Sequence, residues 1–233
     1  MACLFKYFSK HEYAENFISK GEVYFNSLSY FLSCEEVSKR DPYEDVNVYK
    51  PVNGLQVTNV SSHEKFVDPR TLISRLNNPH RIFVFCTSAV LNEQLWKKFN
   101  SVSCVEITNP EKFRERIAKA IVKPILRLKN KTLLAGEVEY FDSQKEPGTR
   151  HACPDQIVMS KVDRYSDEKK IERYSDEKEY RFAFAIDKDA FAVNNVSYSL
   201  AYDVGSPNYS LDKRVIILGN LSDICRIVSI GED

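Results

Sequence analysis

Two glutamates and an arginine near residue 180 are the side chains of this sequence best suited to chemistry. Polar and apolar residues alternate along residues 176–186, and this period of two predicts a β-strand with a large apolar face toward the core. Glu177, Glu179 and Arg181 share the other face, above two alanines that leave room beside the charges. The strand is therefore expected to present a pair of carboxylates to whatever lies against it.

The glutamate pair suits a reaction whose transition state carries positive charge on a sugar ring. One carboxylate can offset that charge while the other handles the incoming nucleophile. Residues two apart on a strand are about 6.5 to 7 Å apart at the backbone, within the roughly 5 to 9.5 Å used by glycoside hydrolases. The same pattern also fits an edge strand with a solvated face, on which a glutamate and the arginine pair without any catalytic function. The spacing alone therefore does not decide the reaction.

The composition indicates one folded domain without net charge. The chain has 233 residues, of which 43% are hydrophobic and 12% aromatic, which is enough for a single core over residues 1–233. Lysine and arginine together number 33, as do aspartate and glutamate, so the formal net charge is zero. That balance disfavours nucleic-acid binding by bulk electrostatics, although a local basic patch would remain compatible with it.

Neither the cysteines nor the histidines have the spacing of a metal site. The six cysteines stand singly and the four histidines share no ligand spacing, so we predict no metal and a reduced, cytoplasmic protein. No run of about 18 apolar residues predicts a membrane span. The first residues lack the apolar core and cleavage site of a signal peptide, in agreement with the expected cytoplasmic location.

The first thirty residues predict a strand, a capped helix and further strand. Residues 4–8 form the first strand, and Ser9 with Glu12 three residues later has the pattern of a helix capping box. Strand is predicted over residues 22–27 and again over residues 28–31.

The rest of the chain predicts strands and helices in an irregular order. The predicted elements are a helix near 69–75, a central strand over 81–87, a helix capped by Asn109, and strands over 133–141, 214–218 and 224–230. This order indicates an α+β fold: a single domain of mostly antiparallel sheet with a few capped helices.

A six-residue segment occurs twice before the predicted glutamate strand. Residues 164–169 and 173–178 both read Arg-Tyr-Ser-Asp-Glu-Lys, and only the second copy runs directly into the alternating stretch. Two short copies cannot form a repeat architecture, so we interpret them as a local duplication that lengthened a loop. The first copy is predicted to be an exposed loop or a short helix.

A metal-dependent nuclease is a further hypothesis. It would need acidic residues converging from several strands, for which Glu106, Glu137 and Glu139 are candidates. Any antiparallel sheet supplies such residues, so this hypothesis ranks behind the carboxylate pair. The sequence contains no nucleophile elbow, phosphate loop or dinucleotide fingerprint.

Several segments resemble a bacterial and phage protein family of unknown function. Its members open with a Lys-Tyr-Arg-like strand and carry a segment of the type Phe-Asn-Asp-Pro-Phe-Glu. The segments that carry the likeness are residues 5–9, 21–31, 41–44, 83–88, 95–99, 104–107 and 177–182, which together span most of the chain. Members of that family often lie in prophages and defence loci.

That family in turn is similar to the ADP-ribosyltransferase superfamily, particularly the DarT-type enzymes. The resemblance implies an ADP-ribosyltransferase-like fold, with Glu179 as the catalytic glutamate and Glu177 as the first residue of a Glu-x-Glu pair. The residues that it implies to contact NAD are Tyr7 and Ser9 at the first strand, and Ser27, Ser29 and Tyr30 at the nicotinamide end.

The resemblance implies a mono-ADP-ribosyltransferase that transfers ADP-ribose from NAD to a macromolecule, as a toxin or phage–host conflict effector. NAD would be the substrate, and a macromolecular acceptor or a host or phage protein would be the partner. The alternative is a non-catalytic binding or inhibitor protein of phage–host defence, with the carboxylate face as its binding surface. The enzyme needs Glu179, Tyr7 and Ser27 at one cleft. If these side chains lie on opposite sides of the sheet, the enzyme hypothesis fails and the binding hypothesis gains.

Overall fold

A buried strand of aromatic and aliphatic residues, Ile82–Ser88, forms the middle of the main sheet. It corresponds to the predicted central strand, whose apolar side chains on both faces require a core on each side. The computed structural model describes residues 3–33, 41, 43–122, 133–167, 170–186, 189–204 and 212–229, with the backbone alone for residues 33, 164–167 and 170–174. The predicted α+β fold is confirmed, as a single domain of mostly antiparallel sheet with few helices.

The elements follow one another irregularly along the chain. The strands are β1 Leu4–Phe8, β2 Glu22–Ser27, β3 Val46–Tyr49, β4 Leu55–Thr58, β5 Lys65–Asp68, β6 Thr71–Leu76, β7 Ile82–Ser88, β8 Ser103–Ile107, β9 Leu134–Glu137, β10 Glu139–Phe141, β11 Ser160–Val162, β12 Arg164–Asp167, β13 Lys170–Arg173, β14 Glu179–Ala185, β15 Val196–Ala201, β16 Lys213–Ile217 and β17 Cys225–Val228. The helices are α1 His11–Ser19, α2 Leu28–Ser33, α3 Glu93–Lys98, α4 Pro110–Ile121 and α5 Pro154–Val158. Short 3-10 helices cover Pro79–Arg81, Gly148–His151, Tyr174–Glu177 and Val193–Asn195. Within the described ranges, no helix is long and apolar enough to cross a membrane.

The main sheet forks along β7. β14 pairs with β7 over its whole length, so β2 and β1 both use the opposite edge of β7. Ser27 of β2 pairs near the start of β7, and Phe5 of β1 pairs with Ser88 at its end. Between these two strands, the Nζ of Lys6 donates a hydrogen bond of 2.8 Å to the carbonyl oxygen of Cys86. A side chain therefore contacts the β7 backbone in the fork between the two strands.

Two hydrophobic cores lie on the two faces of this sheet. Tyr180, Phe182 and Phe184 of β14 pack into the first core, as the alternating sequence predicts. Ala183 and Ala185, on the opposite face, belong to the second core. The open space expected beside the charged residues is therefore filled, because the small alanines let other apolar side chains pack closely against β14.

Two predicted elements near the N-terminus differ from the structure. The capping box at Ser9 is wrong, because α1 begins at His11 and no side chain caps it. Residues 28–31 belong to α2 and not to a strand. Leu28 and Leu32 are both buried, and their spacing of four is the helical period that the sequence analysis missed.

The helix predicted near residues 69–75 is also wrong, because β6 occupies most of this segment. β6 pairs with β3 on one side and with β15 on the other. Asp68 stabilises a turn just before β6, since its carboxylate accepts hydrogen bonds from the backbone N–H and the guanidinium of Arg70. Strand pairing on both edges outweighs the local helix signal.

The strands predicted near the end of the chain do not lie beside each other. β16 pairs with β2 and β17 pairs with β8, at the two ends of the main sheet. The strand predicted over 133–141 is divided at Val138, since β9 pairs with β14 whereas β10 pairs with β11 in parallel. This division places β10 and β11 next to the start of β14.

The duplicated segment folds differently in its two copies. In the first copy, β12 pairs with β13 in a two-stranded hairpin that joins no other described sheet. In the second copy, Tyr174–Glu177 form a 3-10 helix before β14. The loop or short helix predicted for the first copy is therefore wrong. The presence of a pairing partner decides whether this sequence becomes a strand.

Deletion of residues 164–172 should leave the fold intact. Arg164 and Arg173 pair across the hairpin, so their Cα atoms are about 5 Å apart and the chain can reconnect there. Losing a hairpin that pairs with itself should change Tm by only a few degrees. Calorimetry of the deletion variant beside the full chain measures this, and a fall in Tm above about 15 °C would mean that the hairpin packs on the domain.

Candidate functional site

Glu177 and Glu179 do not share one strand face as predicted. β14 begins at Glu179, whereas Glu177 ends the 3-10 helix that precedes it. Lys178 between them has a φ angle of 44°, a left-handed backbone conformation that turns the chain. Both carboxylates nevertheless lie within 4 Å of the same lysine, since Lys161 Nζ is 2.9 Å from Glu179 and 3.9 Å from Glu177.

A buried group of charged side chains surrounds Glu179. This charged cluster comprises Asp41, Glu44, Lys161, Glu177, Glu179 and Arg181, with Lys98 at its solvent end. None of the six buried residues is more than 9% exposed. Charged side chains are almost never buried to this extent unless they are paired. The pattern of contacts within the cluster therefore decides which groups are ionised.

Glu179 is held as an ionised carboxylate by two cations. Its Oε1 accepts a hydrogen bond of 2.6 Å from Arg181 Nε, and its Oε2 lies 2.9 Å from Lys161 Nζ. Its backbone N–H donates to the Tyr140 hydroxyl at 3.0 Å. Burial acts to raise the pKa of Glu179, but Arg181 and Lys161 outweigh it and hold the pKa well below its usual range.

Lys161 contacts all four carboxyl groups of the charged cluster. Besides Glu179 and Glu177, its Nζ lies 3.6 Å from both Asp41 Oδ2 and Glu44 Oε2. Burial acts to lower the pKa of Lys161, yet the surrounding carboxylates raise it well above the usual value. β11 thus places one ammonium group among four carboxylates.

The charged cluster holds Glu44 less firmly as an anion than it holds Glu179. Its Oε1 is 2.6 Å from Arg181 Nη2, but the two atoms are not aligned as a hydrogen bond. Burial raises the pKa of Glu44 to about 8, against the opposing effect of Arg181 and Lys161. Glu179, with its aligned hydrogen bond, stays ionised while Glu44 retains its proton at neutral pH.

The count of charges supports the same assignment. Four carboxyl groups face three cations once Lys98 is included. One proton on Glu44 brings the cluster to balance, which reduces the cost of burying it. The cluster therefore contains a carboxyl group that titrates near physiological pH.

Stability should fall with rising pH because of Glu44. Its folded-state pKa of about 8 lies above the ordinary value of 4.5, so the folded state binds the proton more tightly than the unfolded chain. The stabilisation is complete below pH 4.5 and is lost as pH rises toward 8, by up to about 1.4 kcal/mol per pH unit. Glu44→Gln, which is neutral at every pH, lacks this dependence.

Urea denaturation of the wild type and of Glu44→Gln at pH 5, 6, 7 and 8 measures the difference between their free energies of unfolding at each pH. The lowered pKa of His151 has the opposite sign in this range, and it cancels because both proteins contain that histidine. Glu115 is exposed, and Glu115→Gln is the control variant. Its difference from the wild type in free energy of unfolding should not change with pH. If the difference between wild type and Glu44→Gln were also independent of pH, it would contradict the assignment of the proton to Glu44.

Glu177 lies at the end of the charged cluster that reaches solvent. Its Oε1 is 3.0 Å from Lys98 Nζ, and the two side chains are 11% and 24% exposed. Its carbonyl oxygen accepts a hydrogen bond of 2.7 Å from the Ser88 hydroxyl. Lys98 and Glu177 are therefore the members of the charged cluster with the most exposed side chains.

Tyr7 lies on the same face of the sheet as Glu179. Phe5 of β1 and Glu179 of β14 both pair with Ser88 of β7, so their side chains are on the same face of the sheet. Tyr7 is two residues after Phe5 on β1 and therefore points to that face as well. The Tyr7 hydroxyl donates to the carbonyl oxygen of Val90 at 2.9 Å. Burial raises the pKa of Tyr7 to about 12. Tyr7 thus fixes the turn that leads into α3, the helix that ends in Lys98.

The predicted serine contacts do not join this site. Ser27 pairs with Phe83, whose side chain lies in the first core, so Ser27 is on the opposite face from Glu179. The Ser27 and Ser29 hydroxyls are buried and hydrogen-bonded to each other at 2.9 Å. The remaining candidates are half-buried Tyr30, next to the Phe31 ring, and exposed Ser9 after β1. Of the predicted residues, the structure brings Glu177 and Glu179 to the same lysine and places Tyr7 on the same sheet face as Glu179.

Comparisons with protein-family models, with curated proteins and with solved structures give no match. The functional proposal therefore rests on the charged cluster and on the family resemblance. The resemblance to ADP-ribosyltransferases stays a prediction.

Sequence reasoning missed Lys161, Glu44 and Asp41 as members of the site. Asp41 and Glu44 lie in the segment that resembles the phage family, which was the available signal for them. Nothing in the sequence near Lys161 marks it as buried, since its environment comes from strands distant in the chain.

The three acidic residues considered for a nuclease do not converge. Glu106 pairs with Arg226 at 2.6 Å on β8. Glu137 and Glu139 are exposed, on β9 and β10. Among the residues that the structure covers, no group of three histidine, cysteine or acidic side chains could hold a metal ion.

Proposed function

We propose that this protein is a mono-ADP-ribosyltransferase that transfers ADP-ribose from NAD to a macromolecule. The observation that carries the proposal is the charged cluster, in which Glu177 and Glu179 both lie within 4 Å of Lys161 and Glu179 is on the face of the sheet that also bears Tyr7. In line with the family resemblance, we place it in the cytoplasm as a toxin or phage–host conflict effector.

Buried charge supports a catalytic use of the cluster. Burying ions stabilises a fold less than apolar side chains of the same volume would, and perturbed pKa values concentrate at functional sites. A carboxylate fixed in advance by Arg181 and Lys161 can stabilise positive charge on a ribosyl group without reorganising. Recognition of a partner by the carboxylate face would instead require exposed glutamates.

The residues fit NAD in part. Glu179 supplies the ionised carboxylate that the sugar needs, and Glu177 lies nearer to solvent, where an acceptor would be oriented. Ser27 and Ser29 lie elsewhere, and the placement of Ser27 on the face opposite Glu179 counts against the enzyme as the resemblance describes it. The proposal therefore requires an NAD site that does not use these two serines. The approach to Glu179 in this proposal runs past Glu177 and Lys98.

The second candidate is a non-catalytic binding protein of phage–host defence. Both oxygens of Glu179 are occupied and the residue is 4% exposed. Ser27 lies on the opposite face, which is the placement that favours this candidate. In that case the charged cluster stabilises one fold, and the partner contacts another surface.

Glu177→Gln should weaken transfer of ADP-ribose to an acceptor more than it weakens hydrolysis of NAD. The reason is that its carboxylate lies at the solvent end of the cluster, where the acceptor would enter. We expect the ratio of transfer to hydrolysis to fall by about 10²-fold or more, the lower end of the range for losing one general base. Labelled NAD, with separate counting of modified protein and free ADP-ribose, measures the ratio.

The control is Glu93→Gln, which removes the carboxylate of an exposed glutamate on α3, the same helix that carries Lys98. Its ratio should equal that of the wild type. Equal falls in transfer and hydrolysis for Glu177→Gln would contradict the role given to Glu177.

A further inference from the structure

β15 is the outermost strand of the three-stranded sheet β15-β6-β3, and no other described strand pairs with its outer edge. Val196 at its start is buried, but the residues after it are exposed or half-buried. The side chains of Tyr198 and Leu200 are 54% and 36% exposed. Most of β15 therefore meets solvent on both faces.

The backbone N–H and C=O groups of Tyr198 and Leu200 point away from β6. The N–H of Asn77 donates to the carbonyl oxygen of Asn195 at 3.0 Å, one residue before the start of β15. In an antiparallel pair, residues that exchange hydrogen bonds with the neighbouring strand alternate with residues whose groups face the other side. The odd-numbered residues of β15 therefore bond to β6, and the even-numbered ones present their backbone groups to a further strand.

The edge of β15 lacks the usual protection against pairing with another chain. Edge strands normally carry charged side chains, proline or a bulge for this purpose. The strands at the two ends of the main sheet follow this rule, since β16 begins with Lys213 and Arg214 and β17 contains Arg226. β15 reads Val-Ser-Tyr-Ser-Leu-Ala, without charge or proline, and pairs with β6 residue by residue without a bulge.

The strand is complementary to a second copy of itself. When two copies run antiparallel about a two-fold axis at Ser199, every outward-facing residue meets an outward-facing residue, so the new hydrogen bonds form in phase. Tyr198 of each copy then lies opposite Leu200 of the other, an aromatic–aliphatic pair that occurs twice. No like charges oppose each other, because the strand has none. Leu200 also continues a row with Leu72 and Tyr49 across the sheet, which the second copy extends.

We infer that β15 pairs with β15 of a second copy of this chain, which joins the two three-stranded sheets into one. A strand from another protein would find the same backbone groups, but the second copy also supplies both matched pairs of Tyr198 with Leu200. Pairing along one short strand buries little area, so the dimer belongs to the weak, transient class. The inference is independent of the proposed transferase, since no residue of β15 belongs to the charged cluster.

Sedimentation velocity of the full chain from about 1 to 300 µM, the range of weak interfaces, tests the pairing. We expect an equilibrium between monomer and dimer. Leu200→Pro removes an outward N–H that β6 does not use, so it should abolish the dimer and leave the fold intact. The matched control is Val215→Pro on β16, where the pairing with β2 also leaves the N–H of Val215 facing outward. This variant should dimerise like the wild type.

Tyr198→Lys carries the test if the proline variant loses its fold by circular dichroism. It should raise the dissociation constant of the dimer about tenfold or more, because the pair with Leu200 is lost on both sides of the two-fold axis. Tyr24 on β2 is 48% exposed, so Tyr24→Lys makes the same change on another surface. Its dissociation constant should equal that of the wild type.

Cysteine cross-linking tests the register. Ser199→Cys places two thiols on the two-fold axis, with Cα atoms about 4.5 Å apart, a separation that a disulfide spans. Oxidation with diamide should therefore link the two copies, as read by intact mass. Ser197→Cys is exposed on the same face, but lies about 14 Å from its counterpart and should not link. The wild type, with its six cysteines, gives the background.

Three results would each overturn the inference. The first is a chain that stays monomeric over the whole concentration range, including one whose edge takes up a labelled valine–threonine peptide instead. The second is a dimer that Tyr198→Lys and a folded Leu200→Pro both leave intact, or that Val215→Pro disrupts equally. The third is equal cross-linking of Ser199→Cys and Ser197→Cys.

Discussion

Arg181→Met should lower the free energy of unfolding by about 3 to 5 kcal/mol, the range for removing one partner of a buried ion pair. Arg181 is fully buried, and its guanidinium contacts Glu179 and Glu44 and also donates to the Val158 carbonyl oxygen. Methionine fills similar volume without charge. The loss arises because Glu179 would remain buried with only Lys161 to balance it.

An arginine elsewhere in the chain provides the matched control. Arg226 pairs with Glu106 at the same 2.6 Å, but its side chain is 70% exposed, so Arg226→Met should cost much less. Adding Glu179→Met to Arg181→Met should restore part of the stability, since no orphaned charge then remains between them. Equal losses for the two arginine variants in urea denaturation would show that the buried pairing does not matter.

Glu179→Gln should reduce turnover of NAD by on the order of 10² or more, the scale for losing one preorganised electrostatic group. Glutamine keeps the shape and loses the charge that would face the ribosyl cation. Glu44 can release its proton in this variant, because the carboxylate that competes with it for Arg181 and Lys161 is gone. The protein should therefore remain folded and the loss should appear in the rate.

Thermal melting separates that loss from unfolding. The rate is measured at least about 15 °C below the Tm of each variant, and Glu93→Gln serves again as the exposed control on α3. An undiminished rate for Glu179→Gln would remove Glu179 from the chemistry. A reduced rate that tracks the fraction of unfolded protein would do the same.

Local sequence patterns predict the strands that form because their side chains are buried in the core. They do not predict the strands that form because they pair with segments distant in the chain. The alternating residues of β14 and the apolar run of β7 are sufficient to predict these two strands, because their side chains are buried in the two cores. The local signals of residues 69–75 favour a helix, but the segment forms β6 because it pairs with β3 and β15, which lie far away in the chain. The capping of α4 by Asn109 was predicted correctly because the cap acts within four residues.

The site could be predicted to the extent that its residues are neighbours in sequence. Glu177, Glu179 and Arg181 stood out together, whereas Lys161 and Glu44 join them only through the fold. The sequence also gave no sign of the turn at Lys178 that separates the two glutamates. The burial of these charged residues could not be predicted from the sequence, since the charged face of a strand is usually exposed to solvent.

Release of nicotinamide from NAD by the wild-type protein, with cell extract supplied as acceptor, tests the central claim most directly. The account predicts steady release that falls by about 10² or more in Glu179→Gln, together with labelled protein bands whose intensity falls in Glu177→Gln. The contradicting result is no release above background from a protein shown to be folded, with both glutamine variants matching the wild type. That result would leave the charged cluster as a structural feature and the binding protein as the function.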